Sequence, residues 1–113
     1  MKAVFSDQPT LADLLADLQG AMQEASVWEC TAPSDIALQS QEPFCIDTMS
    51  FPQWLRFVMI TRFKLILVCG QDLPASCHIS PMAEEAFKSL PSGQRQAIVY
   101  CLDRIDQHLS SSQ

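Results

Sequence analysis

The sequence predicts an all-α fold: a compact four-helix bundle or array with a long wrapping loop between helices one and two. Three observations predict it. Apolar residues recur at helical spacing in separate segments, cap and breaker residues bracket those segments, and no segment alternates with the period of a strand.

Thr10 reads as the N-cap of helix one, with Asp13 in the capping-box position. Leu11, Leu14, Leu15, Leu18 and Met22 then mark one amphipathic face running to about Ala25, with Asp13 and Asp17 on the solvated side. From Ser26 to Met49 the pattern stops, punctuated by Pro33, Ser34, Asp35 and Pro43. Trp28, Ile36, Leu38, Phe44, Ile46 and Met49 give this loop apolar content, so it is expected to pack on the fold.

Ser50 can cap helix two, with Pro52 in the first turn, and Gly70 is a natural residue to end it after Cys69. Ser80-Pro81 opens a third helix, expected through Leu90, with Glu84 and Glu85 near its positive end. Pro91-Ser92-Gly93 breaks the chain. Helix four, from about Ser92 to Leu109, carries Ile98, Cys101, Leu102, Ile105 and Leu109 on one stripe.

The 113 residues are read as a single domain over 1–113, with disordered ends at about 1–8 and 110–113. A composition of 48% hydrophobic and 18% charged residues excludes a disordered chain. A net charge of −6 argues against a general binder of nucleic acid or anionic membrane. Polar residues Ser6, Asp7 and Gln8 follow Lys2 closely, so no signal peptide is read and the expected location is cytoplasmic. The most apolar stretch, Phe57 to Cys69, is interrupted by Arg62 and Lys64 and is too short to span a bilayer. The five cysteines, Cys30, Cys45, Cys69, Cys77 and Cys101, form no CxxC and are expected to be reduced thiols.

Helix two carries two anomalies. On a regular wheel from Ser50, one apolar arc holds Phe51, Trp54, Leu55, Val58, Met59, Leu65, Ile66, Val68 and Cys69. Arg62 falls inside that arc, between Val58, Met59 and Ile66. A guanidinium keeps its charge, so it must find a partner there or avoid burial. Three readings stand: an ion pair tying the loop to the bundle (Asp47 first, then Glu84 and Glu29), an anion or carboxylate site, or a surface arginine whose stem alone packs.

The second anomaly is an apolar stripe on the opposite side, at Ile60, Phe63 and Leu67, beside Arg56, Gln53 and Lys64. A helix apolar all round is either central or has an external partner. Charge is divided in the same place. Between Thr48 and Gln71 stand three basic residues and no acidic one, leaving four basic against thirteen acidic, or −9, elsewhere. A basic, apolar ridge suits an acidic protein surface; the competing reading folds the 26–49 loop over it.

Catalytic patterns are weak. Cys77-His78 are sequence neighbours whose side chains point apart, His108 complements a helix end, and Glu84-Glu85, Asp103 and Asp106 read as solvated. The three glycines form no phosphate-cradling loop, and the cysteines match no closed metal pattern. The expectation is a non-enzyme with no cofactor and no metal.

Pro43-Phe44-x-x-Asp47-Thr48-Met49, followed by Trp54-Leu55-x-Phe57-Val58-x-Ile60-x-Arg62-Phe63, resembles the signature of the YqcC-like family of small bacterial domains. Leu73-Pro74, Ile79-Ser80-Pro81 and Glu84-x-Ala86 resemble its second stretch, and Gln94-Arg95 with Leu102-Asp103 its last helix. The resemblance implies a compact four-helix, cytoplasmic protein with no established catalytic activity. Members are commonly encoded beside a tRNA pseudouridine synthase, which implies an accessory role in tRNA modification. The motif carries over to Asp47, Thr48, Trp54 and Arg62 as positions, without roles.

These readings combine into an accessory or adaptor that binds another protein, such as a tRNA pseudouridine synthase, through the 43–67 region. The candidate residues are Asp47, Thr48, Trp54, Arg56, Ile60, Arg62, Phe63 and Lys64. The alternative is a small anionic-ligand or RNA-binding module with a cleft around Arg62 and Asp47. A homodimer through the ridge is a third possibility.

Overall fold

Thr10 and Asp13 close the predicted capping box in both directions, at 3.2 and 3.1 Å, and start α1 (Leu11–Glu24). This is seen in a computed structural model that describes residues 10–71 and 78–111. Leu11, Leu14, Leu15, Leu18 and Met22 are all buried, as their spacing requires. The helix ends at Ser26 in the left-handed region (φ +62°), where the Val27 N–H donates to the Met22 carbonyl at 3.0 Å.

The long loop holds only two short 3₁₀ turns, Ala37–Gln39 and Pro43–Cys45. Ser50 and Gln53 then form a second reciprocal capping box, at 3.3 and 2.8 Å. It opens a continuous helix, α2, built from α-helical Phe51–Trp54, π-helical Leu55–Ile60 and α-helical Thr61–Cys69. Gly70 ends it at φ +71°, a conformation that costs glycine nothing. The third helix, α3 (Ser80–Ala86), is shorter than predicted, because Phe87 leaves helical geometry and the chain turns through to Leu90. The last, α4 (Ser92–Ser111), runs two residues beyond the predicted end at Leu109. Cys77, Leu73-Pro74 and the two chain ends at 1–9 and 112–113 lie outside the described residues.

The π turn explains both anomalies of α2. A turn closed i to i+5 takes up one residue more than an α turn, so everything after it lags by about 100°. Upstream, the expected core arc holds: Phe51, Leu55 and Met59 are buried. Downstream, the lag brings Ile60 and Phe63 onto the core, at 2% and 4% exposure. It carries Arg62, Leu65 and Val68 off the core and into solvent. The expectation of an Arg62 inside the apolar arc is thereby corrected, as is that of an exposed stripe at Ile60 and Phe63. Burying an unpaired guanidinium costs on the order of several kcal/mol, and one extra residue in a turn avoids it. The Thr61 hydroxyl donates to the Arg56 carbonyl, five residues back, at 3.1 Å and so satisfies an acceptor within the turn.

Helices α1 and α4 pack antiparallel, pinned by Arg104 to Asp17 at 3.3 Å and, nearer the other end, by the Gln94 amide to the Glu24 carbonyl at 3.4 Å. Their facing stripes, with Leu55, Phe63, Ile79, Ala83 and Phe87, make one core. Asp106 corrects a further expectation. It is 7% exposed, not solvated, and its carboxylate accepts from the Ile79 N–H at 2.9 Å and the Ser80 N–H at 2.9 Å. A side chain of α4 therefore caps the start of α3. Among the described residues no helix is long and apolar enough to cross a membrane.

Replacing Asp106 with Ala leaves two buried donors without an acceptor. Asp106→Ala is expected to lower unfolding stability by about 1–3 kcal/mol, and Asp106→Asn by less, as read from urea denaturation. A change within ~0.5 kcal/mol, the size of an ordinary surface substitution, would contradict the capping role.

Candidate functional site

The predicted site spans three neighbourhoods that the fold keeps apart. The first is the seam between the loop and the start of α2. Arg56 donates to the Trp28 carbonyl at 2.6 Å, and its guanidinium lies 4.4 Å from the Trp28 ring centroid and 5.0 Å from that of Phe57. Glu29 stands 3.8 Å away but is almost fully solvated, so the ion pair adds little and the hydrogen bond and ring contacts carry the seam. Gln53 reinforces it, donating to the Thr31 carbonyl at 2.7 Å. Arg56 is therefore occupied inside the molecule, fastening residues 28–31 to α2. This is a correction to its place on an outward ridge.

The second neighbourhood is the loop from Ser34 to Met49. Asp47 accepts a short hydrogen bond from the Ser40 hydroxyl, and Thr48 donates to the Ala37 carbonyl at 2.8 Å. Both residues close the loop on itself. Asp47 forms no ion pair with Arg62 among the described residues, so the expected pairing of the loop to the helix through these two is corrected. Phe44 sits at φ +59° and Cys45 at φ +50°, a conformation that costs about 1–2 kcal/mol for a residue with a side chain. The strain aims the Phe44 ring edge-on at Trp54, 4.9 Å away, and at Phe51, 5.9 Å away. Phe51 in turn stacks on Trp54 at 5.8 Å and meets Phe87 edge-on at 5.7 Å. Trp54 is half-buried in this cluster and anchors the loop.

The third neighbourhood is the far half of α2, where Arg62 and Lys64 are exposed and form no hydrogen bond or ion pair among the described residues. Leu65 is 59% exposed and Val68 84%, with Leu67 and Cys69 exposed beside them. Of the three readings of Arg62, the surface arginine is the one found. Of the stripe expected at Ile60, Phe63 and Leu67, only Leu67 is exposed; the other large apolar side chains that α2 leaves in solvent are Leu65 and Val68.

Elsewhere, two open grooves of about 510 and 530 Å³ adjoin along α3 and α4, sharing Ser80 and Asp103. One includes His78 and Asp106, the other Glu84 and Arg95. Asp106 was legible in principle, since it stands four residues after Leu102 and three before Leu109 on the buried stripe. Burial pushes the Cys101 thiol up, helped by the nearby Asp17 carboxylate. It pushes the Cys30 thiol up too, against the pull of Arg56. Neither is a poised thiolate. Among the described residues no three His, Cys, Asp or Glu side chains gather as a metal site.

A family profile described as tRNA pseudouridine synthase C matches residues 10–108. An uncharacterised protein of Haemophilus influenzae is 45% identical over 74 residues, covering 66% of this chain and 70% of that protein. The uncharacterised protein YqcC of Escherichia coli is 30% identical over 92 residues, covering 81% and 84%. A protein of Pectobacterium carotovorum named tRNA pseudouridine synthase C is 36% identical over 62 residues, which are 55% of this chain and 16% of that protein. No solved structure matches the chain.

Removing the seam should free the loop without dissolving the core. Arg56→Met is expected to speed amide hydrogen exchange over residues 27–36 while α1 and α4 keep their protection, with a global loss of about 1–2 kcal/mol. Uniform acceleration across all helices would show that the seam holds the whole fold.

Proposed function

The chain belongs to the YqcC-like family, and from that membership we propose a non-enzymatic accessory protein that docks onto a tRNA pseudouridine synthase through the far half of α2. The observation that carries the reading is the exposed surface of Arg62, Lys64, Leu65 and Val68 on a helix whose other faces are committed to the core or the loop. Large apolar side chains held in water at two adjacent helical turns mark a place where another surface settles. The two unpaired cations beside them favour a partner that is acidic at the contact.

The choice of partner rests on the relatives. In the Pectobacterium protein a stretch resembling this chain makes up 16% of a polypeptide that bears the synthase name. A unit that shares a chain with another in one organism has reason to sit against it when the two are encoded separately. The role proposed is to bind the enzyme, in the cytoplasm, and not to contribute reacting groups.

The test is titration of the purified protein into a tRNA pseudouridine synthase C from its own organism, at low salt, by calorimetry or analytical gel filtration. A complex is expected, and Leu65→Asp with Val68→Asp should weaken it by at least about tenfold, or 1.4 kcal/mol, with the melting temperature preserved. No complex with the wild-type protein, or an undiminished one with the double variant, would overturn the proposal.

A further inference from the structure

The far half of α2 carries two apolar stripes, and only one can face the core. In a helix that stayed α throughout, Arg62, Ile66 and Cys69 would follow Phe51, Leu55 and Met59 onto the buried side. With the π turn, Ile60 and Phe63 take that side, and Leu65, Val68 and Cys69 are exposed. The two registers differ in which stripe is offered to a partner, and only one of them buries a permanent cation.

We propose that Arg62 is the residue that sets this register, and that the surface it thereby presents is a docking face for an acidic-edged apolar helix. The inference rests on the protein-binding reading above and deepens it. Arg62 acts in two ways from one position. Its charge excludes the all-α register, and its exposed guanidinium, with Lys64, lies beside Leu65 and Val68. The occupant follows from charge: with Arg56 engaged by the loop, the face carries two exposed basic side chains, Arg62 and Lys64, and residues 48–71 contain no acidic one. A partner helix with Leu-type residues along its centre and carboxylates along its edges satisfies both parts.

Cys69 reports the register without any partner. It is exposed in the π register and would turn inward in the α register, while Cys45 and Cys101 are buried in the folded protein. In the full-length protein, alkylation of each thiol is followed by mass spectrometry. Wild type and Arg62→Lys should both label Cys69 fast. Arg62→Met should slow Cys69 by about tenfold as the thiol enters apolar surroundings, with Cys45 and Cys101 still protected. Unchanged labelling of Cys69 in folded Arg62→Met overturns the register role.

A variant lacking Val58 guards against a misfolded Arg62→Met. Removing one residue from the π turn should leave an all-α helix with the downstream faces unmoved, so Cys69 stays fast. A buried Cys69 in that variant overturns the phase argument. For the docking face, the probes are two synthetic amphipathic peptides of about 15 residues, long enough to form helix on binding. They share a Leu stripe, one edged with Glu and the other with Lys. The Glu-edged peptide should protect Cys69 of the wild type and the Lys-edged one should not; equal or absent protection overturns the docking face. If the Glu-edged peptide protects and the synthase does not bind, the face stands and the named partner falls.

Discussion

An arginine cannot lose its charge, and the architecture of α2 follows from that constraint. Helix two is long, apolar on every side and central to the chain, so almost any register would bury carbon. Only Arg62 distinguishes them. The extra residue accommodated in Leu55–Ile60 turns the guanidinium outward and lets Ile60 and Phe63 complete the core begun by Phe51, Leu55 and Met59. The two faces of α2 are thus set together: the quality of the core and the character of the exposed surface are one choice.

The loop between α1 and α2 depends on the same helix from the other end. Its 24 residues from Ser26 to Met49 contain almost no regular structure, yet they are held at discrete points. Arg56 and Gln53 grip two backbone carbonyls, and Phe44 is driven into an aromatic cluster at the expense of its own backbone. A loop fastened by two backbone carbonyls and by the rings of Trp28 and Phe44 needs no periodic residue pattern to be held. This explains how a segment without pattern can still have a defined path.

Much of the fold was legible in the sequence because it is written in local signals. Thr10 with Asp13, the leucine stripe of α1, Ser50 with Pro52, and Gly70 each act within one or two turns, and each lies where spacing places it. What failed was the phase of α2 beyond Met59. A helical wheel assumes a constant angle per residue, and a π turn violates that assumption without changing a single residue type. The two warnings, an arginine in the greasy arc and a second greasy stripe opposite, were both visible; they are what a phase slip looks like when read on a regular wheel. Asp106 escaped for a different reason. Its place on the buried stripe of α4 is readable from spacing, but its partners are backbone donors 26 and 27 residues away, and that pairing is not. Asp47, Thr48, Trp54 and Arg56, singled out as candidates for a binding site, hold the loop together.

The cap that Asp106 supplies also orders events during synthesis. A seven-residue helix such as α3 does not persist by itself in water. Its first turn is held by a carboxylate that the ribosome adds 26 residues after Ser80, which at roughly 5–20 residues per second is a delay of a second or more. Until then the Ile79–Ser80 amides have only water to bind, and Ile79, Ala83 and Phe87 have no α4 to cover them. The third helix is therefore expected to emerge as unstructured chain and to form together with the fourth, at the step in which α4 also reaches its place against α1.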